Sequence, residues 1–112
     1  MSTPEISQDE MYQLLRSGNI EKFNELKAKG QQCNLQDADL RGLDLRELDA
    51  KGLDISNGYL RQADLRGVDL SETNLQGVSV SGAKISGTLF PKELSAEEIN
   101  LSLLHGTRMR YR

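Results

Sequence analysis

The sequence predicts a short solenoid closed at both ends by helices, and three observations predict it. First, residues 33–92 repeat every five places through twelve segments: CNLQD, ADLRG, LDLRE, LDAKG, LDISN, GYLRQ, ADLRG, VDLSE, TNLQG, VSVSG, AKISG and TLFPK. Second, two places of each segment are apolar or small. The third holds Leu35, Leu40, Leu45, Ala50, Ile55, Leu60, Leu65, Leu70, Leu75, Val80, Ile85 and Phe90. The first holds Cys33, Ala38, Leu43, Leu48, Leu53, Gly58, Ala63, Val68, Thr73, Val78, Ala83 and Thr88. Third, helical patterns flank the repeats on both sides. An α-helix needs apolar spacing near 3.6 and a half-buried strand needs spacing of two. Two inward places followed by three outward ones suit a chain that turns a corner every five residues. Self-similarity at a fixed period is the mark of a solenoid.

The elements follow in chain order. Ser7 is placed to cap a helix from about Gln8 to Ser17, with Met11, Leu14 and Leu15 on one side and Gly18 as its stop. Asn19 is placed to cap a second helix over 20–29, with Ile20, Phe23 and Leu26 apolar and Gly30 as its stop. This hairpin is expected to cover the first turn of the repeats. Glycine fills the fifth place at six positions between Gly42 and Gly87, where tight corners favour positive φ. Pro91 lacks an amide hydrogen and is expected to end strand pairing. Ser95-Ala96-Glu97-Glu98 reads as a capping box opening a helix to about Leu104, ended by Gly106. In the tail, Met109 and Tyr111 share one face of an extended segment, and Arg108, Arg110 and Arg112 share the other. That tail is either docked on the domain or an exposed arm for a partner.

The pentads resemble the pentapeptide-repeat family, whose consensus is close to A-(D/N)-L-x-x. ADLRG at 38–42 and 63–67 matches it outright, and TNLQG and VDLSE nearly so. The resemblance implies a mainly β fold: a short right-handed quadrilateral β-helix with four pentads per coil. Twelve pentads make about three coils, and strands ~4.8 Å apart give a shaft of only ~15 Å. With the N-terminal helical hairpin and a C-terminal capping helix, the expectation is one domain: a cap over 1–32, the β-helix over 33–92, and a helix and basic tail over 93–112. In a four-sided coil, positions twenty apart stack. Leu43, Leu48 and Leu53 are then large for the first place, and the undersized Ala50 offsets them in volume.

Composition narrows the function classes. The formal charge is −3, too small to dictate a partner. A single cysteine, Cys33, allows no internal disulfide, and it reads as a buried filler. The start MSTPEISQDE has neither the basic nor the apolar stretch of a signal peptide, and no run approaches the ~20 apolar residues of a membrane span. A soluble, cytoplasmic protein is expected, with no membrane partner. The lone histidine, His105, reads as a helix-end residue. With no convergent catalytic set and no zinc-ligand spacing, neither an enzyme nor a metal or other cofactor is expected.

Acidic second places (Asp39, Asp44, Asp49, Asp54, Asp64, Asp69) stand beside basic fourth places (Arg41, Arg46, Lys51, Arg61, Arg66). They read as a mutually compensating surface in which each pair contributes little. The expected function is a non-catalytic protein–protein interaction or adaptor module. Its partner-binding residues are Leu101, Leu104, Arg108, Met109, Arg110, Tyr111 and Arg112, and the partner is another protein or a second copy meeting the C-terminal helix or tail. Arg41, Arg46, Arg61 and Arg66 form a second candidate face. The alternative, implied by the resemblance, is a DNA-mimicking modulator of DNA gyrase or topoisomerase using Asp39, Asp44, Asp49, Asp64 and Asp69. Mimicry calls for a long acidic rod, whereas 33–92 carries nine acidic and seven basic residues, a net of −2. Three arginines and one tyrosine in the tail are too few for specific nucleic-acid binding, and none is expected.

Overall fold

The structure, a computed structural model, describes residues 9–112. Its regular elements are three helices: α1 (Glu10–Arg16), α2 (Ile20–Ala28) and α3 (Ala96–His105). The expected mainly β, right-handed quadrilateral β-helix is therefore corrected. Among the described residues no strand or sheet forms, and the repeats hold turns and six isolated parallel bridges. The reason is local. Where a bridge forms it joins only the second place of a pentad to the chain twenty residues on, and the fourth and fifth places turn before a ladder can extend.

Those bridges join Asp39 to Tyr59, Asp44 to Asp64, Asp54 to Asn74, Tyr59 to Ser79, Asp64 to Lys84 and Asp69 to Leu89. The chain thus returns alongside itself every twenty residues, in circuits over 33–52, 53–72 and 73–92. Third-place amides donate to carbonyls nineteen residues later, as from Leu40 to Tyr59 (2.9 Å), Leu60 to Ser79 (2.8 Å) and Leu70 to Leu89 (2.7 Å). Third-place side chains from Leu35 to Val80 are buried throughout, while Ile85 and Phe90 in the last circuit are only partly so. Ten of the twelve fifth places adopt positive φ. Six are glycines, but Asp37, Glu47, Asn57 and Gln62 do so too, so the corner is imposed by the circuit and not by glycine alone.

The caps differ in detail from expectation. Ser7 lies outside the described residues, and α1 is capped by Asp9, whose carboxylate accepts from the Met11 and Tyr12 amides. Asn19 caps α2 as expected, accepting from Lys22 N–H at 3.2 Å. The α1–α2 pair covers backbone of the first circuit through side chains. Tyr12 Oη and Arg16 Nη1 donate to the Asp39 carbonyl at 3.0 and 3.2 Å. Asn24 bridges a gap by donating to the Glu47 carbonyl (2.8 Å) and accepting from the Asp49 amide (2.9 Å).

Ala50 is buried, and its carbonyl accepts from Thr73 Oγ1 at 2.7 Å. Ala50→Leu is expected to overpack this wall and lower stability by ~1–3 kcal/mol, read as a fall in the urea midpoint at unchanged slope.

Candidate functional site

The C-terminal end of the repeats is closed by α3 and the tail, built residue by residue onto the last circuit. Ser95 Oγ accepts from Glu98 N–H at 3.1 Å, and Gly106 ends the helix at φ 73. Only half of the expected capping box forms, because the Glu98 carboxylate turns to the tail and accepts from Arg110 N–H at 2.9 Å. Ser102 is fully buried, and its hydroxyl accepts from Val80 N–H at 2.9 Å. The Leu103 carbonyl accepts from Gly82 N–H at 3.2 Å, and Ser79 Oγ donates to the Gly106 carbonyl at 3.1 Å.

The tail is docked. Met109 is 0% exposed; its amide donates to Val78 (2.9 Å) and its carbonyl accepts from Gly77 (2.7 Å). Tyr111 Oη accepts from Leu75 N–H at 2.9 Å and donates to the Thr73 carbonyl at 3.2 Å. Arg108 lies over the Tyr59 ring, 4.8 Å from its centroid. Its guanidinium donates to the carbonyls of Asn57 (3.0 Å) and Gly77 (2.7 Å) and to Tyr59 Oη (2.6 Å). Arg112 Nη2 donates to the Lys92 carbonyl at 2.9 Å.

The seven residues singled out from the sequence therefore divide. Met109, Tyr111 and Arg108 are holding elements: Met109 is buried, Tyr111 is half-buried with its hydroxyl satisfied, and Arg108 is committed to the circuits beneath. Leu101 (46% exposed), Leu104 (76%), Arg110 and Arg112 face outward. The sequence reading missed Leu89, a second-place residue that is 57% exposed. Its signal was an aliphatic side chain at the second place, where the eleven earlier pentads carry Asp, Asn, Ser, Lys or Tyr.

The second candidate face is an ion-pair ladder. Arg41, Arg46 and Arg66 each grip the carboxylate two residues earlier through Nε and Nη2, at 2.7–2.9 Å. Arg46 also reaches Asp64 of the next circuit, at 3.5 Å. The Arg41 guanidinium holds the Asp39 carboxyl down at about 2, and Arg66 holds Asp64 well below the usual carboxylate range. Arg61 departs from this pattern: its Nε donates to Ser79 Oγ at 3.3 Å and its guanidinium stands 5.8 Å from the Tyr59 ring centroid.

Residues with catalytic potential do not converge. Burial, with Asp9 nearby, pushes the Cys33 thiol up, away from the thiolate a nucleophile needs. His105 sits exposed at the end of α3. Among the described residues no three His, Cys, Asp or Glu side chains gather as a metal site, and no helix is long and apolar enough to cross a membrane.

A model of pentapeptide repeats matches residues 31–62 and 56–90, with eight copies of the repeat. The chain belongs to the pentapeptide-repeat family. Comparison with curated proteins and with solved structures gave no match. Membership is compatible with a non-catalytic repeat protein. In this pentapeptide-repeat protein the repeats supply a backbone edge and an ion-pair ladder.

Met109→Ala is expected to cost ~2–5 kcal/mol by opening a cavity under the tail, seen as a lowered melting temperature. The ladder also has a pH signature. Asp39 titrates lower when folded (about 2) than its ordinary 3.8, so its contribution is fully present above that ordinary value. It is lost as pH falls toward 2. Asp39→Asn should therefore flatten the acid limb of stability against pH, measured by urea unfolding between pH 5 and about 2.

Proposed function

We propose that this pentapeptide-repeat protein is a non-catalytic protein-interaction module that presents its C-terminal end to a partner protein. The observation that carries this reading is the placement of its exposed large hydrophobic side chains. Among the described residues these are Leu89, Leu101 and Leu104, all in or beyond the last circuit. Elsewhere the first- and third-place apolar residues are turned inward, so exposure at this one end is selective. Arg110 and Arg112 add cations beside it, while Met109, Tyr111 and Arg108 hold the surface in place. DNA mimicry draws no support from the ladder, because the carboxylates of Asp39, Asp44 and Asp64 are already paired with arginines.

The test is affinity capture from native cell lysate with the intact chain and with a Leu101→Asp/Leu104→Asp variant. Both positions are exposed, so the variant should keep its melting temperature. A protein captured by the intact chain and lost with the double variant supports the reading. Identical capture by both would overturn the assignment of this surface. Light scattering on the purified chain separates a different protein from a second copy.

A further inference from the structure

We propose that the edge of the last circuit at Ala83–Gly87 takes an extended segment of another protein in which an acidic residue stands between two apolar ones. This rests on the reading of the chain as an interaction module and names the chemistry of its partner.

The backbone sets the mode of binding. On this face, each circuit is bonded to the next by the same set of groups. Leu45 N–H donates to Asp64 (3.0 Å) and Asp64 N–H to Leu43 (2.9 Å). One circuit up, Leu65 N–H donates to Lys84 (2.8 Å) and Lys84 N–H to Ala63 (2.9 Å). At the next level the partners run out. The amides of Ile85 and Gly87 and the carbonyl of Ala83 have none among the described residues. α3 and the tail satisfy the amides of Leu75, Gly77, Val80 and Gly82, on the two pentads that precede Ala83 in the last circuit, and stop there. An open row of this kind accepts an added strand through main-chain bonds.

The outward side chains set the charge. Up this face the second place reads Asp44, Asp64 and then Lys84. Arg46 bridges upward to Asp64, but Arg66 has a lysine above it instead of a carboxylate. Lys84 is exposed and in no ion pair among the described residues, so the ladder ends on two cations. A carboxylate on an added strand, directly opposite Lys84, would continue the alternation.

The inward side chains set the flanks. Ala63 and Leu65 are buried, whereas Ala83 and Ile85, directly above them, are only partly covered. Side chains alternate along a strand, so the residues on either side of the acid would point over Ala83 and Ile85. Apolar–acid–apolar is also the pattern of the chain's own Leu43-Asp44-Leu45 and Ala63-Asp64-Leu65. A second copy pairing about a twofold axis through Lys84 would set Lys84 against Lys84, a like-charge pair that opposes that register.

The test uses the full chain, labelled with nitrogen-15, and two blocked peptides, GVDLTG and GVKLTG. Titration should move the Ile85 and Gly87 amide signals in a saturable way and slow their exchange with solvent. The acidic peptide should bind about twofold to fivefold more tightly, the range of a cross-strand charge pair. Lys84→Glu should invert that order while leaving the remaining amide signals in place. The proposal is overturned if neither peptide moves those amides at millimolar concentration, or if both bind alike. Protection of Ile85 and Gly87 without peptide, in a chain that scatters as a dimer, would overturn it in favour of a second copy. An inert edge beside capture that depends on Leu101 and Leu104 removes this site and leaves the interaction module standing. A binding edge with capture indifferent to those leucines keeps this site and removes the leucine surface.

Discussion

The rest of the structure depends on the polarity of the backbone hydrogen bonds between circuits. Third- and fifth-place amides donate toward the C-terminal side, as from Leu40 to Tyr59 (2.9 Å) and Gly42 to Arg61 (2.8 Å). Each circuit therefore passes a row of donors to the next, and the last one has nowhere to pass it. Backbone groups withdrawn from water need partners, so a protein built this way must be finished by something other than its repeat. At the first circuit the need is met by side chains from α1 and α2. At the last it is met as far as Gly82 by Ser102, Leu103, Met109 and Tyr111, which are drawn from both a helix and an extended tail, and it is left open at Ile85 and Gly87.

That finishing work explains why the C-terminal segment divides into holding and outward residues. Met109 serves at once as a core side chain and as a two-sided backbone partner, taking a donor from Gly77 and giving one to Val78. Arg108 ties the tail to two circuits, since Asn57 and Gly77 both accept from it. Once these contacts are formed, the apolar residues of α3 that cannot also face the circuits are left in water. Leu104 is the clearest, at 76% exposure beside the partly buried Leu103. Exposure of Leu101 and Leu104 is thus a geometric consequence of docking the helix.

The ladder of Asp and Arg plays a smaller energetic part than its regularity suggests. Its pairs are exposed and short-range, each arginine gripping a carboxylate two residues away, so each adds little to stability. What the ladder does supply is a pattern whose interruption is informative. Lys84 breaks the column of aspartates at the same level where the backbone bonding ends, and Leu89 does so on the neighbouring face.

By itself the sequence determined the five-residue period, the inward first and third places, the Asn19 and Ser95 caps, and the pairing of charges on the outer surface. These are local or strictly periodic properties, legible because spacing alone decides them. It did not determine that the period would yield single bridges instead of strands, since that depends on how many residues each corner consumes. Nor did it determine that Asn24 would bridge Glu47 and Asp49, or that Glu98 would leave its own cap for Arg110. The tail's alternation of Met109 and Tyr111 with arginines fixed which residues share a face, but not whether that face would be buried. Only the tertiary structure decided this, because the docking site is a row of backbone groups on Thr73–Val78, whose availability depends on where the circuits stop.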